Sequence, residues 1–592
     1  MKKIISIFLI AVLISACTDR FERVNKNPFE ITEKDLTQDF NFGVGFTNLY
    51  RNLVPGGANY QYSTDWAADN YVSYTGTPLD EYGGRDMMSY YFIDNWNNYM
   101  WNHYYNNQMS PARVNIISAE ENNQPVLKAM AEMIQVMAVS VLTTYYGPVI
   151  YSEYGEDKLQ FNYDSEQDLY DLLFKKLDEL KTVFFNADSA QAVFLKKFDP
   201  QYANASTVSA TNPANNRPTG NTKLWAKFVN SYKLRLAMRI VKANPGLAEQ
   251  KFVEAANDPA GLILSTSNAF LNSENFWFRF TGTHPFWTMA ASWNDCRMGS
   301  EMELVLVGLE DPRIDRYFRN VDTQGNPSNA DLSAKFDKTF PDYVFQNPAF
   351  RYKGIAPGAY LDNDKVRDCY SSAGLECNIL ADGFRKRPIL LASEVNFLLA
   401  EAAVRNWTWT GKKSAQEYYE DGIRASFAEW NVPNAATAAN AYLANNTRMP
   451  LAEYIDPADK FNRMAGNSNG YMSKMTDPDV YTIQWKEGIS DEKKLERIMT
   501  QKWIAGFQNA WEVWSDFRRT GYPKITTPSM NNSNSTWGII NTNNGEYIKR
   551  MPFVEKERLS NTAGVAEATK KLPNGGNLIS TRLWIHPDKA NF

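Results

Sequence analysis

Apolar residues recur at every third or fourth position through one long segment after another, and that spacing commits the chain to helices packed on helices. Between Val126 and Tyr145 the stripe is Leu127, Met130, Ile134, Met137, Val141 and Tyr145, with Lys128, Glu132 and Gln135 lying off it. Similar stripes run through Asp168 to Leu180, Leu224 to Val241 and Glu394 to Val404, the last with Val395, Leu398, Leu399 and Ala402 on one side. Ser414 to Trp430 is predicted as a further helix, parted from its predecessor by Asn406 to Lys413 with Gly411 as the breaker, which makes an αα-hairpin. The longest stripe is Leu495, Ile498, Met499, Trp503, Phe507, Ala510, Trp511 and Trp514, with Glu496, Arg497, Gln501, Asn509 and Glu512 expected on the opposite face. Aromatics at this spacing serve a core more often than a ligand box.

The expected fold is therefore mainly α: a TPR-like scaffold of helical pairs, an α-α superhelix, with long irregular loop insertions. No clean sequence period of about 34 residues is visible, so the repeats are degenerate. Asp199 to Thr222 and Ser529 to Glu546, rich in Asn, Ser, Thr, Gly and Pro, are predicted as surface loops. No shift of charge or Pro/Gly content marks a hinge, so residues 17–592 are expected to form one large domain.

The first residues set the address. Lys2 and Lys3 lead into an apolar run from Ile4 to Ile14, long enough for a signal-peptide core and too short to span a bilayer. The run closes on Ile14-Ser15-Ala16-Cys17, which resembles the lipobox of bacterial lipoproteins. That resemblance implies a signal peptide over residues 1–16, with cleavage before Cys17 and acylation of its thiol and new amino group. At about 0.8 kcal/mol per buried CH₂, several acyl chains hold a soluble body to a membrane without a spanning helix. No later apolar run is expected to approach the length of a span.

Composition excludes other classes. The net charge is −5, with 22% charged and 44% hydrophobic residues, a balance that suits a folded soluble body and gives no basic face for nucleic acid. The three histidines, His103, His284 and His586, form no local ligand pair, and none of the four cysteines, Cys17, Cys296, Cys369 and Cys377, forms a CxxC. No cofactor is expected, while a metal at a loop carboxylate stays open. In an export compartment Cys369 and Cys377 are spaced to close a short disulfide loop, and Cys296 is expected as a small buried hydrophobe.

Several phrases, taken in order, resemble the SusD/RagB family of nutrient-binding outer-membrane lipoproteins. After the lipobox come Asn27-Pro28 and then Tyr146-Gly147-Pro148-Val149-Ile150-Tyr151, similar to the family's Gly-Asp-Val-Pro-Tyr phrase with the proline displaced. Trp225 to Ile240 is similar to its Asn-Ser-Leu-x-Leu-Arg helix. Asp311-Pro312-Arg313, Tyr352-Lys353-Gly354, Glu394 to Arg405, and Gln501-Lys502-Trp503 through Arg518-Arg519-Thr520-Gly521-Tyr522-Pro523 follow in the family's order. Arg550-Met551-Pro552-Phe553 resembles the closing Arg-x-Pro-Tyr-Pro segment, with Phe553 and Val554 in place of Tyr and Pro. The resemblance implies a TPR-like lipoprotein on the cell surface that caps a SusC-like TonB-dependent transporter and hands it oligosaccharides, or peptides in some members. The shared phrases are read as scaffold: Arg518 and Arg519 follow a helix end, where cations complement the dipole and bond to free carbonyls.

The candidate binding surface is an aromatic belt. Fourteen aromatics lie between Tyr60 and Tyr105, about twice the chain's 14% average, interleaved with Asn70, Asp80, Glu81, Arg85, Asp94, Asn95, Asn97 and Asn98. Flat rings suit the C–H face of a sugar, and amides or carboxylates suit its hydroxyl rim; peptides can exploit the same mixture. A second cluster from Phe276 to Trp293, with Asn294 and Asp295, is expected to fold toward the first. Any single aromatic belongs to core or partner contact more often than to ligand. The residues singled out are Trp66, Trp96, Trp287 and Trp293 for stacking, with Asn70, Arg85 and Asn294 for polar contacts.

The leading expectation is a non-catalytic binding lipoprotein. Its alternatives are a peptide binder of the same architecture, a glycoside hydrolase, which needs two carboxylates about 5–9 Å apart across a cleft, and a structural surface lipoprotein. No local motif designates a catalytic pair, and no GxSxG, phosphate loop or dinucleotide fingerprint is present.

Overall fold

The computed structural model describes residues 38–78, 87–202, 211–212, 217–218, 220–264, 274–280, 283–321, 352–359, 369–374, 385–456 and 470–592. Cys17, Arg85 and Cys377 lie outside them, and with them the lipidation site, one polar candidate and the Cys369–Cys377 pairing.

The periodic stripes become helices at nearly the expected bounds. Ten of them carry the argument: α1 (Gln38–Arg51), α2 (Ser110–Glu121), α3 (Pro125–Tyr146), α4 (Glu166–Asn186), α5 (Asn221–Arg239), α6 (Pro245–Asn257), α7 (Ala392–Val404), α8 (Ala415–Glu429), α9 (Asp491–Ala505) and α10 (Ala510–Thr520). Their ends are chemically marked. Ser165 and Ser490 accept from the third amide of α4 and α9, and Ser414 with Glu417 closes a capping box on α8. Gly147 and Gly521, both at positive φ, stop α3 and α10.

The helices pack as neighbouring pairs, α2 on α3, α4 on α5, α5 on α6 and α7 on α8, a TPR-like scaffold. Strands among the described residues are short antiparallel pairs, the longest joining Phe276–Phe280 to Arg385–Leu390. The core holds Trp225, Trp503 and Trp514, all fully buried.

Two expectations are corrected. Helix α3 is long and apolar enough by length and composition to cross a membrane, but 83% of its most apolar stretch is buried inside the fold, so it is a central core helix. The stripe from Leu495 to Trp514 is two helices, not one. Gly506 ends α9 and Gln508 takes a positive φ, so α10 folds back; a Cβ on Gly506 would sit 2.5 Å from Val513 Cγ2. The polar residues placed on its outer face, Glu496, Arg497, Gln501, Asn509 and Glu512, are all buried.

Those buried charges are paired across helices distant in sequence. Arg235 of α5 reaches Glu394 of α7 at 2.6 Å, Arg239 pairs with Glu512 of α10, and Arg519 of α10 holds Glu401 of α7 with both oxygens engaged. Lys502 and Asp516 join α9 to α10 at 2.6 Å. The sequence phrases read as scaffold are thus the internal struts. Arg518 and Arg519 lie within the last turn of α10 rather than after it: Arg518 donates to the carbonyls of Trp514 and Lys549, whereas Arg519 binds carboxylates and no free carbonyl of the helix end. Arg550 donates to the Tyr146 carbonyl, which brings the closing phrase against the end of α3.

Candidate functional site

Two segments of the aromatic belt meet on one side of the scaffold. Residues Gly57–Tyr60 open as α-helix and continue through Gln61–Asp69 as π-helix, and Asp94–Asn102 continues likewise through the π-helical His103–Met109. A π turn adds a residue per i→i+5 ring and re-aims the side chains that follow. Tyr62, Trp66, Trp96 and Tyr99 come together here. The Trp66 and Trp96 rings lie 4.6 Å apart, Tyr62 lies 5.0 Å from Trp96, and Tyr62 and Tyr99 lie 4.6 Å apart with planes tilted by 36°.

The layering is the reverse of the sequence expectation. Trp66 and Trp96 are 5% and 7% exposed and form the floor, whereas Tyr62 and Tyr99 are half-buried and form the upper layer. Trp66 Nε1 is buried without a hydrogen-bond partner among the described residues. Indoles bury the larger area, so the larger ring goes underneath and the phenol, with its polar tip, stays nearer water. Tyr62 and Tyr99 were within the belt but not among the residues singled out. Their signal was positional: each stands one helical turn from one of the tryptophans.

Asn70 also turns inward. Its Oδ1 lies 3.1 Å from Thr75 Oγ1, whose single proton is shared with Asp65 Oδ1 at 3.0 Å. Asp65 and Asp69 are buried beneath the platform, and Tyr60 donates to Asp69 at 2.9 Å. Burial, and then the neighbouring Asp69, push the Asp65 carboxyl well above its ordinary value. Burial raises Asp69 to about 7 against the opposing pull of Arg387 and the Tyr60 hydroxyl. Cys296 adjoins Asp65, and burial raises its thiol, which makes it an inert neighbour rather than a nucleophile.

The second cluster does fold toward the first. Gln61 Nε2 donates to Asp295 Oδ2 at 2.5 Å, and Thr75–Gly76 pairs with Arg297–Met298 as a two-stranded ladder. Just before Asp295 runs a third π-helical stretch, Thr288–Trp293. Trp287 is half-buried with the Arg319 guanidinium 4.4 Å from its ring centre, and Trp293, 45% exposed, is the most open of the four selected tryptophans. Asn294 adopts a left-handed conformation, and its Oδ1 accepts from Arg297 at 2.9 Å, which commits the carboxamide oxygen to the fold. Phe276, Trp277, Phe278 and Phe286 are core.

The histidines stay apart in separate local roles. His103 meets Gln108, His586 meets Ser515, and His284 Nδ1 accepts from the Phe286 amide. Among the described residues no three His, Cys, Asp or Glu side chains gather in a metal-binding group.

Residues 23–586 match the profile of the SusD-like family, described as Susd and RagB outer membrane lipoprotein. A chitin-binding SusD homologue from Flavobacterium johnsoniae shares 29% identity over 93% of this chain and all of its own, with a TM-score of 0.73. A SusD homologue from Bacteroides uniformis shares 27% over 93% of this chain and 100% of its own, also at 0.73. One from Bacteroides vulgatus, at 24% identity, has the same fold, with a TM-score of 0.75 over 93% of this chain and 99% of that one. None of the curated proteins matches the chain.

Proposed function

The chain belongs to the SusD- and RagB-like outer-membrane lipoproteins, and from that premise we propose that it captures nutrient oligosaccharides at the cell surface, without catalysis, for delivery to a SusC-like TonB-dependent transporter. Cys17 is the lipidated N-terminus in this reading, and an acylated cysteine before a helical body suits a protein that works at the membrane without spanning it.

The observation that carries the proposal is the layered platform. Tyr62 and Tyr99, packed on one another at 4.6 Å, are the partly exposed rings of the cluster, above the buried Trp66 and Trp96. Ring stacking contributes about 0.5–1.5 kcal/mol per contact, so two rings and a few exposed hydrogen bonds give capture between roughly 1 mM and 1 μM. Such an affinity suits a ligand that must be passed on. The carboxylates at the platform are occupied otherwise: Asp65 and Asp69 are buried, and Asp94 is ion-paired with Arg558. A hydrolase would need two of them facing each other across a cleft.

The first ligand to try is a chitin-type oligosaccharide, since a chitin-binding relative covers nearly the whole chain. Calorimetric titration of the detergent-solubilised full-length protein with chitohexaose and other neutral oligosaccharides is expected to give binding and no released reducing ends. Reducing-end release would overturn the non-catalytic assignment, and absence of binding across the oligosaccharide panel would overturn the ligand class.

A further inference from the structure

One face of the helix that carries Trp96 and Tyr99 is built of carboxamides. Asn95, Asn98 and Asn102 follow one another at steps of three and four residues, which keeps them on one side of the α-helix over about 10 Å, and Asn106 stands in its π-helical continuation. Asn95 and Asn106 are exposed, Asn98 and Asn102 half-buried. The carboxamides of Asn95, Asn102 and Asn106 take no part in the hydrogen-bond network of the described residues, and Asn98 Oδ1 is buried without a partner. Asn97, on the other side, shows what a committed asparagine looks like here: it donates to the Pro552 carbonyl at 2.7 Å and accepts from Tyr146 at 3.0 Å.

That other side clamps the helix. Trp101 packs on Tyr146 and Tyr105, and Tyr105 exchanges hydrogen bonds with the Ile150 backbone, so the amide row is held in place before any ligand arrives. Between Asn95 and Asn107 the only titratable side chain other than tyrosine is His103, which is buried and held neutral, its pKa lowered to about 4 by burial. Asp94, one turn before Asn98, is ion-paired with Arg558, so the row and its near end carry no net charge.

We infer that this carboxamide row extends the Tyr62–Tyr99 platform into a site for an extended, uncharged oligosaccharide, whose hydroxyl or acetamido groups it reads along the helix axis; the inference rests on the binding function proposed above. A carboxamide donates and accepts, as hydroxyl and acetamido groups do. Uronate or sulfate groups instead call for the paired charge of Arg or Lys, which this row lacks. Peptide main chains also suit amides. A flat ring pair answers the C–H face of a sugar, however, whereas peptide grooves gain specificity from pockets for alternate side chains.

The test uses the full-length protein in detergent, titrated with chitohexaose, cellohexaose, hexagalacturonate and a mixture of extended peptides at low and high salt. Neutral hexasaccharides are expected to bind with an affinity that salt leaves unchanged. The combined Asn98→Ala, Asn102→Ala and Asn106→Ala variant is expected to weaken that binding at least ~10-fold, with melting temperature and circular dichroism retained. Conservative Gln replacements at the same positions are expected to restore part of it. Preference for hexagalacturonate or for peptide would overturn the inference, as would neutral-sugar binding that the triple variant leaves intact. Failure of every sugar to bind would instead overturn the underlying proposal of oligosaccharide capture.

Discussion

Arg519 Nη1 lies 2.6 Å from Glu401 Oε1, with both side chains almost wholly out of water. The same carboxylate accepts from Arg405 at 2.8 Å, so one glutamate of α7 bridges two guanidiniums and ties α7 to α10, with Asp516 supplying a second carboxylate to Arg519 at 3.0 Å. Replacing Glu401 by Gln leaves Arg519 short of a buried counter-charge and is expected to cost about 3–5 kcal/mol of stability, measured by denaturant unfolding. A loss below about 1 kcal/mol would show the pair to be dispensable.

The same residue sets an acid limit. Burial would raise the Glu401 carboxyl, but Arg519 and Arg405 outweigh it and hold the group at about 2. A carboxyl depressed from an unfolded value of about 4.3 contributes stability that is complete above that value and is lost as pH falls toward about 2. The stability difference between wild type and Glu401→Gln is therefore expected to shrink steadily between about pH 5 and pH 2.

Asp69 has the opposite sign. Its folded value of about 7 lies above the unfolded value of about 3.9, so its burial weighs against the fold increasingly as pH climbs between them. Asp69→Asn is expected to gain in melting temperature relative to wild type from about pH 4 upward and to level off above about pH 7. A difference that does not change with pH would contradict the shift.

The platform predicts a division of labour. Tyr62→Ala and Tyr99→Ala are expected to weaken oligosaccharide binding by about tenfold each with little change in melting temperature. Trp66→Ala and Trp96→Ala remove the floor and are expected to cost about 3–5 kcal/mol of stability. Titration and thermal melts on the four variants separate the two roles, and equal stability losses in all four would contradict the layering.

Much of the scaffold was legible because helix periodicity survives wherever a helix has one dry face, as α4 and α8 show, and because α3, α5 and α7, buried on nearly every side, still keep their largest apolar residues at helical spacing. The break between α9 and α10 was not, since Trp503, Phe507, Trp511 and Trp514 hold their spacing across it and the turn rests on the close approach at Gly506 and the positive φ of Gln508. Nor was the burial of Glu512 or Glu401, because their partners stand on helices far away in sequence. At the site, the belt itself was visible in the density of rings. Which rings face outward was not, because the π-helical turns at 61–69, 103–109 and 288–293 shift side chains off the usual 3.6-residue wheel.

The tyrosines of the upper layer rest on indoles that are themselves seated in the core, and this has a bearing on selectivity. A lectin surface on a pliant loop can reshape itself around each new guest, whereas these rings inherit their tilt and spacing from the folded body. In the proposed capture role, branched or kinked chains that miss that spacing are expected to bind more weakly than straight ones, because the rings cannot shift to meet them.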